Sequence, residues 1–285
     1  MISIILLLHR AGLHHHMLDT EYCTTAVTRS PARSFITNML RRLLQVLPSS
    51  QPFSPRNFIA GWQHLGVQPA IHVGAYEDAH EVLATIMNNL LLKVPRSESA
   101  KIFTKFQGQI SCRRTRDCNE VQLADSYLGQ SDISPFVHVI GVDNDIDGVH
   151  PVKLREKLHQ FCSSTFESRC KAIMCKKKVR DAKIHVSPGK FTVVSLNRNA
   201  TNLQKMMNKV DMSLFHPEID QISQVPVVVI SHGGSMASGH YVVYSQVGGV
   251  WFLNDDDKRL FPSHSPFEQI SIYKETVDII VFENN

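Results

Sequence analysis

The residues most able to do chemistry lie near the C-terminus, in His232-Gly-Gly-Ser-Met-Ala-Ser-Gly-His-Tyr241 and Trp251-Phe-Leu-Asn-Asp-Asp-Asp257. His240 follows a glycine-rich turn and opens an apolar stretch. Gly239 before it lets the backbone approach a partner closely. Trp251 opens a second apolar stretch that ends in three acids. Two antiparallel strands joined by a short loop bring the start of one beside the end of the other, which places His240 next to Asp255 or Asp256. A carboxylate beside an imidazole fixes its tautomer and stabilises the imidazolium, the base-plus-orienter half of a nucleophilic triad. Spacing alone favours a second reading: a structural histidine, with the acids forming a turn.

A base of this kind serves a nucleophile. The six cysteines are Cys23, Cys112, Cys118, Cys162, Cys170 and Cys175. Five of them crowd the middle of the chain, and only Cys23 stands in the helical first third. The 285 residues are enough for one sizeable core, and 43% hydrophobic with 20% charged residues is ordinary for a soluble globular protein. A chain that can build a core without staples, and that begins with only a short apolar run at Met1–Leu8, points to a reducing compartment, cytoplasmic or nuclear, with free or metal-bound thiols. That run has no basic segment before it and no small-residue cleavage site after it, so it reads as a buried strand or a frayed terminus. Nothing reaches the ~20 apolar residues a membrane helix needs. The net charge of +4 is mild, and the basic run Lys176, Lys177, Lys178 and Arg180 reads as a solvated face. Neither membrane nor nucleic acid is expected as a partner. The consecutive His14, His15 and His16 point in different directions and do not suggest a metal site.

The elements that must hold these residues read as helices first and strands last, an α+β pattern. Ser30-Pro31 starts a helix that carries Phe35, Ile36, Met39, Leu40, Leu43, Leu44 and Leu47 at helical spacing. Ser54-Pro55 starts a second, with Phe58, Ile59 and Trp62. A third runs from about Tyr76 to Leu92. The middle holds a probable strand at Phe136–Val142 and a helix from about Pro151 to Phe161. Strands follow at Phe191–Leu196, Val225–Ser231, Tyr241–Tyr244, Val250–Leu253 and Val277–Phe282.

With these segments in order, the chain resembles the ubiquitin-specific proteases, papain-like ubiquitin carboxyl-terminal hydrolases. H-x-G, then G-H-Y, then W-x-x-x-D-D looks like the family's histidine box. Tyr76-Glu-Asp-Ala-His-Glu-Val-Leu83 is similar to its glutamine-box helix, with Tyr76 in place of the first glutamine. Phe106-Gln-Gly-Gln-Ile-Ser-Cys112 resembles the entry to the finger, Phe191-Thr-Val-Val-Ser-Leu-Asn-Arg198 a palm strand, and Val277–Glu283 the terminal strand.

The resemblance implies a single domain over 1–285. Its parts would be a helical thumb at about 24–95, a finger with part of the palm at about 100–200, and an antiparallel palm at about 220–285. It implies a thiol-dependent deubiquitinase that hydrolyses the isopeptide bond at the C-terminal glycine of ubiquitin, with ubiquitin and ubiquitinated proteins as partners. By position Cys23 is the nucleophile. His240 is the general base, Asp255 orients it, and Asp256 is the neighbouring acid placed to assist. No cofactor is required for catalysis. Cys112, Cys118, Cys170 and Cys175 are the candidate ligands of a structural zinc, although the gaps within both pairs are wider than the family's usual two residues. The cysteine box departs further. In Asp19-Thr-Glu-Tyr-Cys-Thr-Thr-Ala-Val27, Leu18 stands where an oxyanion-hole asparagine belongs, and the glycines before the cysteine are absent. These departures keep open an inactive ubiquitin-binding pseudoprotease, with Cys23 an ordinary thiol, or a chain that lacks the true cysteine box.

Overall fold

A computed structural model describes residues 38–39, 42, 56–66, 71, 78–91, 109–113, 137–141, 152–154, 157, 165–169, 178–187, 191–198, 210–211, 224–235, 238–255, 258–263 and 275–284. The chain divides into two compact units, one formed by Met1–Phe103 with Pro226–Val281 and the other by Thr104–Val225 with Phe282–Asn285.

In the first unit, helix α1 spans Arg56–His64 and helix α2 spans Ala79–Leu91. Helix α1 begins just after Ser54-Pro55. It buries Phe58 and Trp62 completely, their rings 5.6 Å apart and tilted by 45°. Gly66, at φ 60°, ends it in the left-handed conformation that glycine adopts without a Cβ penalty. Helix α2 buries Ala79, Val82, Leu83 and Ile86, one stripe at helical spacing. It begins at Ala79 rather than at Tyr76, because Asp78 caps it. The Asp78 carboxylate accepts from the backbone N–H of His80 at 2.7 Å and of Glu81 at 3.4 Å, two of the orphan donors of a first helical turn.

The second unit carries β1 (Gln109–Arg113), β2 (Val137–Gly141), β3 (Val152–Lys153), β4 (Thr165–Arg169), β5 (Lys178–Ser187), β6 (Phe191–Asn197) and β7 (Val210–Asp211). Three of these form an antiparallel sheet in the order β1-β5-β4; β2 runs parallel to β6 and β3 to β7. The helix expected from Pro151 is preceded by the β3 bridge. Leu154 and Lys157 are helical, and Leu154 is fully buried.

The remaining strands are β8 (Gln224–Gly234), β9 (Gly239–Val247), β10 (Val250–Asp255), β11 (Lys258–Ser263) and β12 (Glu275–Asn284), hydrogen-bonded in the order β11-β10-β9-β8-β12. Val227–Ser231 on β8 and Thr276, Val277, Ile279, Ile280 and Val281 on β12 are buried, the near-continuous apolar pattern of strands covered on both faces. Exposure rises toward β10, where only Trp251 is buried.

Each of these strands runs past its apolar run. The expected Val225–Ser231 strand continues through Gly234, so His232 and Gly233 belong to a β ladder and not to a loop. The loop shrinks to four residues, 235–238. It is closed by the Ser235 N–H donating to the Ser238 carbonyl at 2.8 Å and the Ser238 N–H donating to the Ser235 hydroxyl at 3.2 Å.

Candidate active site

The β9–β10 hairpin turns on Gly248 and Gly249 alone, at φ 57° and 81°, the two positive values a two-residue primed turn requires. This turn fixes the register: Val247 faces Val250, Gln246 faces Trp251, and so on to Val243 opposite Asn254. Continued by one step, the register puts Asp255 opposite Val242. His240, two residues before Val242, shares its face, because side chains alternate with period 2. A diagonal neighbour of this kind is within reach of a long side chain. The His240 Nε2 lies 2.5 Å from the Asp255 Oδ1. Of the two acids open to His240 in the sequence, Asp255 is the one described beside it. Asp256 and Asp257 lie outside the described residues.

The imidazole is 52% exposed while the carboxylate is only 18% exposed. The ring thus presents itself to solvent, and a sheltered acid holds it from behind. With Nε2–H donating to Asp255, the ring lone pair falls on Nδ1, the nitrogen from which a base would act. Opposite His240 on β8 stands Gly233, which leaves that neighbouring position without a side chain.

The other face of the same strand segment is packed. His232 pairs with Tyr241 across the β8–β9 ladder, and their rings stack at 4.4 Å with a 30° tilt. The His232 ring also covers Gly239. A Cβ built there would collide with the His232 Nε2 and with the Gly233 carbonyl oxygen. From β12, Asp278 brings a carboxylate oxygen to 3.9 Å from the His232 Nδ1, a separation beyond hydrogen bonding. The Thr276 hydroxyl stands 3.2 Å from the His232 carbonyl and 3.1 Å from the Asp278 carboxylate.

Tyr241 joins this face to the start of α2. Burial first, then the charges of Asp78 and Asp278, push its phenol pKa well above the ordinary 10.0, against a hydrogen bond with the Ala79 backbone. Ala79 is the first residue of α2, so its N–H is one that the helix itself cannot satisfy. Burial also depresses the pKa of His80 below its ordinary 6.5, with Asp78 and Glu81 opposing.

Of the residues named from the sequence, His240 and Asp255 are described side by side, and the Asp78–Glu81 segment opens α2. Sequence reasoning did not find the roles of Asp278 and Thr276, which sit in an apolar strand with no motif spacing. The expected strand also ended at Ser231, one residue short of His232. Cys23, Cys118, Cys170 and Cys175 lie outside the described residues. The Cys112 backbone is in β1, paired with Ile184 of β5. Among the described residues no group of three or more His, Cys, Asp or Glu side chains is placed to hold a metal, and no helix is long and apolar enough to cross a membrane.

The antiparallel ladder thus turns an acid-held imidazole toward solvent, and the other face of the same strand meets the capped start of a helix. The sequence profile of the ubiquitin carboxyl-terminal hydrolases matches residues 6–261, and the chain belongs to that family of cysteine-type hydrolases. No curated protein matches it in sequence. Among solved structures it is similar to the SAGA DUB module Ubp8/Sgf11/Sus1/Sgf73 bound to monoubiquitin, with a TM-score of 0.63 and 18% identity over 100% of this chain and 66% of that one. It is similar also to the same module bound to ubiquitin aldehyde, with a TM-score of 0.62 and 18% identity over 100% of this chain and 67% of that one. A third structure of the module gives a TM-score of 0.60 at 18% identity, again over the whole of this chain and 65% of that one. The chain thus spans about two thirds of the length of these solved chains, and at this identity the likeness is one of fold.

Proposed function

We propose that the protein is a thiol-dependent deubiquitinase that hydrolyses the isopeptide bond after the C-terminal glycine of ubiquitin. The observation that carries the reading is the His240–Asp255 pair, 2.5 Å apart, with the imidazole half exposed. In the reaction His240 takes the proton of the Cys23 thiol. The thiolate attacks the carbonyl carbon of the terminal glycine. His240 then gives the proton to the departing lysine amine as the C–N bond breaks, leaving a thioester. Water, deprotonated by the same imidazole, hydrolyses that thioester and returns the thiol. Asp255 holds the tautomer throughout, and Asp256 is the neighbouring acid placed to assist.

Support comes from the family match and from the ubiquitin-bound state of the similar solved structures. On this reading the β8–β12 strands act as palm, the helices near the N-terminus as thumb and the β1-β5-β4 sheet as finger. Cys112, Cys118, Cys170 and Cys175 hold a structural zinc outside the chemistry, and the protein works in the cytoplasm or nucleus on ubiquitinated proteins.

A second reading, a ubiquitin-binding pseudoprotease, draws on Leu18 in place of the oxyanion asparagine, since losing one such donor costs about 10²–10³ in turnover. A ubiquitin probe with a thiol-reactive C-terminus separates the two. The enzyme gives an adduct of ubiquitin's added mass that is lost in Cys23→Ala and His240→Ala. Saturable ubiquitin binding without any adduct means a pseudoprotease or a chain that lacks the true cysteine box.

A further inference from the structure

We infer that His232 is a positioning residue that sets the backbone from which His240 projects. The inference rests on the reading of His240 as the base. His240 and Asp255 occupy one face of the sheet; Gly239 and Tyr241, the residues on either side of His240, occupy the other. The His232 ring touches both of these neighbours. It covers Gly239 so closely that no Cβ fits beneath it, and it stacks on Tyr241 at 4.4 Å.

The chain on both sides of His240 is thus held against one rigid plane, and a plane with two flanking contacts restricts the rotation of the strand about its own axis. That rotation is the motion that would swing the His240 Nε2 away from the Asp255 Oδ1. The clamp is itself held from the far side of β8. Thr276 stands 3.2 Å from the His232 carbonyl, and the buried stretch of β12 anchors Thr276. His240, 52% exposed, projects from this held strand toward Asp255. The contacts with Gly239 and Tyr241 are steric, and the Asp278 carboxylate stands 3.9 Å from the His232 Nδ1.

The test measures two quantities on the full chain: the ¹⁵N NMR tautomer pattern of His240, and the rate of adduct formation with an electrophilic ubiquitin probe beside ubiquitin affinity. In the native protein His240 is expected as the Nε2–H tautomer. His232→Ala removes the plane. The His240 signal should move toward a tautomer average, and the adduct rate should fall about 10- to 100-fold, the scale of an ångström of misplacement, with ubiquitin affinity unchanged. His232→Phe keeps a ring over Gly239 and Tyr241 and should restore the rate to within about threefold.

Should His232→Ala not fold, His232→Asn, which is short but polar, carries the same expectation. A folded His232→Ala or His232→Asn with native tautomer and rate overturns the inference, as does a His232→Phe protein as slow as His232→Ala. If the native protein forms no adduct at all, the protease reading fails by itself, and the tautomer response still decides whether His232 positions His240.

Discussion

Replacing Gly239 by alanine places a methyl group where the structure has no room. The new Cβ meets the His232 Nε2 and the Gly233 carbonyl oxygen, both well inside contact distance. The ring could tip away, but the carbonyl belongs to the β8–β9 ladder, in which Gly233 faces His240 and Gly234 faces Gly239. Relief therefore requires the two strands to separate by about 1 Å, judged against a normal contact of ~3.5 Å. Overpacking of this kind costs about 1–3 kcal/mol, against which the alanine's smaller unfolded-state entropy returns only about 0.4–1 kcal/mol. A net loss near 1–2 kcal/mol corresponds to a fall in melting temperature of about 2–8 °C for a chain of this size. Because the displaced strand carries His240, labelling by the ubiquitin probe should fall by about 10²-fold as well. Gly66→Ala is the control: its Cβ meets nothing within 4 Å and only φ 60° opposes it, so it should cost about 1–2 kcal/mol and leave labelling unchanged. A Gly239→Ala protein that melts no lower than native and labels at the native rate would refute the close approach of β8 to β9 on which the site is built.

Four further outcomes are expected. Asp255→Asn keeps the shape but not the charge beside His240, and should lower the labelling rate by as much as ~10⁴-fold, with folding intact by circular dichroism. Tyr241→Phe removes the hydroxyl that meets the Ala79 backbone and should cost about 1–3 kcal/mol in urea unfolding. The raised phenol pKa gives Tyr241 a stabilising contribution present below pH 10 and lost as the pH rises toward its folded value; stability measured upward from pH 10 should thus decline less steeply in Tyr241→Phe. The depressed pKa of His80 has the opposite sense. Its contribution is present above pH 6.5 and is lost as the pH falls through the lowered folded value, so His80→Gln should flatten the loss of stability as the pH falls below 6.5.

What could be read from the sequence follows the physics of each segment. Strands β6, β8, β9, β10 and β12 announce themselves by apolar runs, and their described lengths exceed those runs because a ladder continues through polar residues and glycines as long as backbone partners remain. Gly233 and His232 illustrate this: composition says loop, but pairing with His240 and Tyr241 makes strand. The partnership of His240 with Asp255 was legible up to one residue, since two antiparallel strands and a short loop determine it and only the length of the turn chooses between neighbouring acids. The contact of Asp278 and Thr276 with His232 was not legible. It links residues 44 and 46 positions apart in the chain, and nothing local in Thr276-Val277-Asp278 marks it. Tyr241 lay inside a recognisable motif, but its bond with the start of α2 spans two segments that the sequence describes separately.

The Gly248-Gly249 turn has a consequence for how this gene can vary. Position along β10 is counted from that turn, so chain length there is a chemical variable. One added residue would shift the count by one and present the neighbouring side chain to His240 in place of Asp255, turning every later side chain of β10 to the opposite face. Length changes in the 235–238 loop do not enter that count, because the β9–β10 register is set at the other end of the strand. Among natural variants of this protein, insertions and deletions should therefore collect in the loop before His240 and avoid the two glycines after Val247, although both connections are short and rich in small residues.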